Sequence, residues 1–237
     1  MVGRIKILSN ITIFLILIIT SNNLYSNEKL FAGAVAYLPL SKSESNDYFY
    51  YKNRLVTKIQ KKNQSYLMFG IPYYSDEGFN EYIFKSETRE KKMRLNINKK
   101  KYDSQYINIK KYKTKTEDDL VRINFERNQI IEAKKKYYNQ YPDIKFIMPA
   151  VGITSGVYGT KRYYNGKEGR FHNGHDIAAE IGSYIFSPSS GKVMLTGDYY
   201  YNGKFVMINH GNNLISMFLH MDDISVSKDQ IVKKGQK

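Results

Sequence analysis

A chain of 237 residues holds one large domain or two small ones, and its 37 Lys+Arg against 22 Asp+Glu give a formal net charge of +15. It contains no cysteine, which excludes a disulfide framework, a thiolate metal site and lipid attachment through an N-terminal Cys. Compartment must therefore be read from targeting signals rather than from redox chemistry.

Residues 1–26 have the layout of a signal peptide. Arg4 and Lys6 make a short basic start, an apolar run follows over 11–19, and the polar stretch 20–26 ends on small Ser26. The apolar run falls short of the about 20 residues that a helix needs to cross a bilayer. The competing reading is an uncleaved N-terminal anchor, and both predict export to the periplasm or cell envelope. Residues 27–145 hold 25 basic and 15 acidic residues, net +10, whereas 146–237 hold 10 and 7, net +3. A basic face suits an anionic polymer such as peptidoglycan, teichoic acid or a membrane surface. The lysines are interspersed with acids, however, so a solvated surface is the simpler reading. Nucleic acid is not expected as a partner of an exported chain.

Between residues 31 and 109 short apolar runs alternate with turn residues. Strands are expected at 31–38, 55–59, 65–71, 81–84, 93–97 and 105–109, punctuated by Gly70, Pro72, Gly78 and the lysine run 99–101. Met93, Leu95 and Ile97 face one way, and Arg94 and Asn96 the other. Residues 27–112 thus read as a small antiparallel β-sandwich that scaffolds or positions and carries no catalytic cluster. Over 116–138 the pattern turns helical. Thr116 with Asp119 makes a capping-box start, Glu117 and Asp118 suit the positive end of the dipole, and Lys134, Lys135 and Lys136 suit the other. Leu120, Ile123, Ile130 and Ile131 give an incomplete apolar stripe, so 113–145 reads as a linker helix packed on one side and ended near Pro142. From residue 146 short Gly-rich segments without helical period predict a second, β-rich domain over 146–237, making the chain mainly β.

All four histidines lie in that last domain: His172, His175, His210 and His220. His172 and Asp176 frame the sequence His-Asn-Gly-His-Asp, and imidazole and carboxylate are both zinc ligands. On a straight strand their Cα atoms would stand about 13 Å apart. Gly174 offers the bend that lets them converge. By spacing alone, a His and an Asp four apart have no special meaning.

The surrounding residues add one. Residues 170–179, Arg-Phe-His-Asn-Gly-His-Asp-Ile-Ala-Ala, resemble the His-x-Gly-x-Asp-Ile-Ala signature of LytM/lysostaphin-type zinc metallopeptidases. Residues 187–193 resemble that family's Ala-Pro-x-x-Gly-x-Val turn and strand, and 197–203 a hairpin of one exported branch. Residues 208–211 and 218–221 resemble its His-Gly and Tyr-x-His-Leu segments, and 232–236 its Val-Lys-x-Gly-Gln turn. The resemblance implies a LytM-type antiparallel sheet domain in which His172 and Asp176 bind zinc and His220 is the catalytic histidine. It implies water activated by the metal attacking an amide carbonyl of peptidoglycan cross-links, with histidines moving protons and holding the oxyanion. His210, in a His-Gly turn after a strand, reads as a structural hydrogen-bonder, and His175 as facing aside. Relatives continue to a His-x-His motif that supplies a third ligand and a second catalytic histidine. No histidine follows His220 here, so the domain is expected to be incomplete, with an apolar strand over 214–219 left exposed. The chain is expected to be a weak zinc binder, inactive or a fragment. The alternative is a non-catalytic LytM-type protein that binds wall or regulates a partner amidase.

Overall fold

The computed structural model describes residues 30–109 and 114–237, so the signal-peptide expectation for 1–26 lies outside the described residues. Seven strands form the N-terminal part: β1 (Val35–Pro39), β2 (Tyr50–Tyr51), β3 (Arg54–Leu55), β4 (Thr57–Lys61), β5 (Gln64–Gly70), β6 (Gly78–Lys85) and β7 (Glu90–Ile97). They pair antiparallel into two sheets, ordered β1-β5-β4 and β3-β2-β6-β7. Period-two alternation turns Leu67 and Phe69 of one sheet toward Tyr82, Phe84, Met93, Leu95 and Ile97 of the other, in one shared core. Burying each such side chain contributes about 1.5–3 kcal/mol. Phe69 also meets Tyr82 and Phe84 edge-on, with ring centroids 5.0 and 5.1 Å apart.

The strand expected at 105–109 does not close this sandwich. Residues there form β8 (Ser104–Ile107), which runs parallel to β10 (Lys161–Tyr164) in the C-terminal part. Its side chains are largely polar and exposed and offer no apolar face to the N-terminal core. Tyr106 instead stacks on Tyr163 at 4.9 Å, and the Asn165 side chain bonds both backbone polar groups of Ile109.

Helix α1 (Glu117–Lys135) starts at Thr116, whose side chain and that of Asp119 form a reciprocal capping box. The buried stripe differs from the expected one. Leu120 and Ile131 are exposed, while Glu126 and Ala133 are buried. Polar bonds fix this rotation: Glu126 accepts from Arg122 Nε at 2.6 Å and from the Tyr200 backbone N–H at 2.8 Å. The Tyr199 hydroxyl bonds Gln129. The helix is therefore bound to the C-terminal sheet.

That sheet is ordered β15-β14-β13-β16, from β13 (Gly191–Tyr199), β14 (Gly203–Asn209), β15 (Ile215–Met221) and β16 (Ile231–Val232), all antiparallel. Phe205 and Met207 face Ala133 of the helix, and Val206 and Ile208 the opposite side with Val193 and Val232. Two small ladders complete the fold: β9 (Ile153–Gly156) with β12 (Asp176–Ala178), and β11 (Lys167–Glu168) on the outside of β10. β15 is an edge strand whose residues are half-buried except at Leu219 and His220. The run expected to be exposed over 214–219 is thus exposed mainly at its end. Among the described residues, no helix is long and apolar enough to cross a membrane.

Candidate metal site

His172 is anchored from three directions before its ring does anything. Its backbone N–H donates to Thr160 O at 2.8 Å, its carbonyl accepts from Gly159 N–H at 2.7 Å, and its ring Nδ1 meets Val157 O at 3.1 Å. A carbonyl only accepts, so Nδ1 carries the proton, an assignment inferred from the partners. The side chain is 9% exposed, and Nε2 stands 3.0 Å from Oδ1 of Asp176. With its proton on Nδ1, a neutral ring aims a lone pair at another acceptor. That contact requires a positive charge between the two atoms, either a second ring proton or a cation. Two ligand atoms of a tetrahedral zinc at ~2.1 Å lie about 3.4 Å apart, close to this spacing. The two residues fit one edge of a metal site.

The chain bends at residues 173–175, as the spacing required, but Gly174 is not the sterically demanding position. A Cβ there would stand 3.6 Å from His172 Nε2, an ordinary contact. The demanding glycine is Gly156, opposite Asp176 in the β9–β12 ladder. A Cβ on it would fall 2.5 Å from Asp176 Oδ2 and 3.2 Å from His172 Cε1. Gly159 is equally constrained, with φ +92° and Tyr102 Cε1 2.0 Å from where its Cβ would sit. Tyr102 and Tyr73 come from the N-terminal part. Tyr73 donates its hydroxyl to Gly159 O at 3.2 Å and stacks on Phe171 at 3.8 Å. The loop that holds the His172 ring is thus packed by residues of the N-terminal part.

Arg162 is the neighbour the sequence did not single out. Its Nη2 donates to Asp176 Oδ2 at 3.2 Å, so the two carboxylate oxygens have separate partners. Its Nε is buried without a hydrogen-bond partner. No motif marks this arginine against nearby Arg170; only the fold puts it opposite Asp176.

The other histidines diverge. His175 is exposed, with Nε2 3.2 Å from Thr154 Oγ1. His210 is fully buried, its Nδ1 on Ser190 O at 3.0 Å and its Nε2 on Ser216 Oγ at 2.8 Å, a structural role. Burial pushes its pKa below the usual histidine value, partly opposed by the Ser190 and Ser189 carbonyls. His220 is exposed near the end of β15, in a left-handed backbone conformation with φ 56°, its N–H donating to Asn202 O at 2.9 Å. Its ring lies over Gly203 at the β13–β14 turn. Among the described residues, no group of three or more His, Cys, Asp or Glu is disposed to hold a metal ion. His220 therefore does not join the His172–Asp176 pair in one cluster, because it belongs to a different sheet and turns toward the hairpin.

Comparison with known proteins bears on the same stretch. Residues 170–237 match the model of peptidase family M23. The C-terminal part of this chain is similar to that family over those residues. The chain is 37% identical over 105 residues to peptidoglycan DD-endopeptidase ShyB of Vibrio cholerae, a match spanning 44% of this chain and 24% of that protein. It is 39% identical over 66 residues to peptidoglycan DD-endopeptidase ShyA of the same organism, spanning 28% of this chain and 15% of that protein. Lipoprotein NlpD of Yersinia enterocolitica is 33% identical over 63 residues, which cover 26% of this chain and 65% of NlpD. The match thus takes in only a minor part of either endopeptidase. A crystal structure of a Pseudomonas aeruginosa protein described as a peptidase M23 superposes with TM-score 0.67 at 25% identity, covering 89% of this chain and 81% of that one. That likeness extends beyond the M23 stretch into the N-terminal sandwich and helix.

Proposed function

We propose that this chain is an exported zinc metalloendopeptidase acting on peptide cross-links of bacterial peptidoglycan, with His172 and Asp176 as metal ligands. The observation that carries the reading is the 3.0 Å approach of His172 Nε2 to Asp176 Oδ1 while Nδ1 is committed to Val157 O. A ligating histidine has its other ring nitrogen held by a carbonyl or carboxylate in this way, which fixes tautomer and ring orientation. The match of residues 170–237 to family M23 and the endopeptidase relatives support the substrate class. The lipoprotein relative supports the cell envelope as its location.

A zinc ion, when bound, supplies a Lewis acid and a nucleophile from water near neutral pH. The chain's own residues supply the rest. His172 presents one nitrogen and is prevented from rotating. Asp176 presents Oδ1 while Arg162 holds Oδ2. The family resemblance implies proton transfer and oxyanion contact for His220, whose ring in this structure lies over Gly203 at the β13–β14 turn and not beside the pair. Its left-handed backbone is the kind of local strain that gathers at functional sites. His175 and His210 take no part.

The second reading is a non-catalytic wall-binding or amidase-regulating protein. Incubation of purified peptidoglycan with the chain, followed by chromatography of the muropeptides, separates the two. Zinc-dependent loss of cross-linked products that disappears in His172→Ala supports the peptidase. Binding to peptidoglycan with no loss of cross-links, with or without zinc, rejects it in favour of the second reading.

A further inference from the structure

Beside the His172–Asp176 pair is a pocket of about 210 Å³ whose wall combines both parts of the chain. Asp103 and Gln105 come from the N-terminal side, and Thr160 and Arg162 from the C-terminal side. β8 and β10 are parallel, with Gln105 opposite Arg162, and Lys161 N–H donates to Asp103 O at 2.8 Å. Gln105 and Arg162, paired across this ladder, line the pocket together with Asp103 and Thr160 from the residues just before the two strands. The hydroxyl-bearing residues Thr154 and Ser155 also line it.

The charges in this wall are one cation and one anion. Arg162 is a guanidinium with five N–H donors, of which one on Nη2 meets Asp176; its Nε is buried, and the side chain is 26% exposed elsewhere. Asp103 is an acceptor-only carboxylate, exposed and lining the same pocket. A simple anion would suit Arg162 but be repelled by Asp103, and a simple cation the reverse. A group that satisfies both carries a carboxylate and an ammonium a few ångströms apart. The volume holds a group of amino-acid size.

We propose that this pocket is a recognition subsite for a zwitterionic α-amino-acid group, with Arg162 taking its carboxylate and Asp103 its ammonium. The assignment deepens the metallopeptidase reading, since it places a free amino-acid centre of the substrate, one bearing both an amino and a carboxyl group, next to the metal ligands. It also gives the N-terminal part a direct role in specificity, through Asp103. Its chemistry does not depend on the metal.

The test uses the chelator-treated chain, so the zinc question stays separate. Three probes of one size are titrated while amide NMR shifts of residues 103–105 and 154–162 are followed: D-alanine, D-alaninamide, which lacks the carboxylate, and N-acetyl-D-alanine, which lacks the ammonium. D-Alanine is expected to bind at least about tenfold more tightly than either, because each missing charge loses a charge-assisted hydrogen bond. Arg162→Gln is expected to remove the advantage over the amide, and Asp103→Asn the advantage over the acetylated probe. Asp103 is exposed, and no hydrogen bond or ion pair seen among the described residues joins its side chain to His172 or Asp176, so its variant tests the subsite apart from the metal pair. Equal binding of D-alanine and N-acetyl-D-alanine, no binding of any probe, or an unchanged preference in Asp103→Asn overturns the proposal. Discrimination by a chain that binds no zinc would leave the subsite standing and reject the metallopeptidase reading alone.

Discussion

In the N-terminal sandwich, side chains from two sheets meet in a single core that runs from Ala36 to Ile97. The C-terminal sheet carries two smaller cores, one on each face, and the β9–β12 ladder that holds Asp176 belongs to neither. Around that ladder Val151 and Ile153 are 89% and 78% exposed. One region is organised by burial, and the other by hydrogen bonds and glycines around a polar pair. Substitutions should therefore act differently: on global stability in the first, on ligand binding in the second.

The largest expected effect breaks the first region. Phe84→Ala empties a fully buried site and should cost about 3–5 kcal/mol in urea unfolding followed by fluorescence. A cost below 1 kcal/mol would mean that the two sheets do not share a core. The next effect belongs to the site. Gly156→Ala should weaken zinc binding by about 10–100-fold, as for disturbed support around a metal ligand, with little change in melting temperature. Gly174→Ala should leave zinc affinity nearly unchanged, and equal losses from the two substitutions would contradict the steric assignment. A smaller effect is expected at the junction of the two regions. Thr116→Ala removes the cap of α1 and should cost about 1 kcal/mol in the same unfolding experiment.

The smallest effect concerns His210, whose folded pKa is depressed by burial. The unfolded chain binds the proton more readily, so stability from this group is full above about pH 6.5 and is lost as pH falls toward the folded value. Melting temperature should accordingly decline on acidification below pH 6.5, and His210→Gln should flatten that decline. An unaltered slope in the variant would show that His210 is not the group responsible.

The core of the sandwich was legible because Met93, Leu95 and Ile97 alternate with Arg94 and Asn96, and pleat period turns that pattern directly into burial. The helix start was legible for a similar reason, since the capping box at Thr116 and Asp119 is a local interaction. Its buried stripe was not, because Glu126 is held by Tyr200, a residue distant in sequence. β8 was misassigned to the sandwich on the same ground: Gln105 and Ile107 look like strand residues, but the partner strand is chosen by Tyr163 and Asn165. At the site, His172 and Asp176 stood out through a motif, whereas Arg162, Gly156 and Asp103 carry no pattern of their own. Their significance comes from cross-strand register, which a single sequence does not display.

The central claim is that the His172–Asp176 pair is built to receive a cation. Long-range proton–nitrogen NMR of the four histidine rings during a zinc titration tests it most directly. The account predicts that the His172 Nε2 resonance shifts with added zinc while its Nδ1 stays protonated and bonded to Val157, and that Asp176→Asn abolishes the shift. An unmoved His172 ring, with zinc-dependent shifts at His175 or His210 instead, would contradict it.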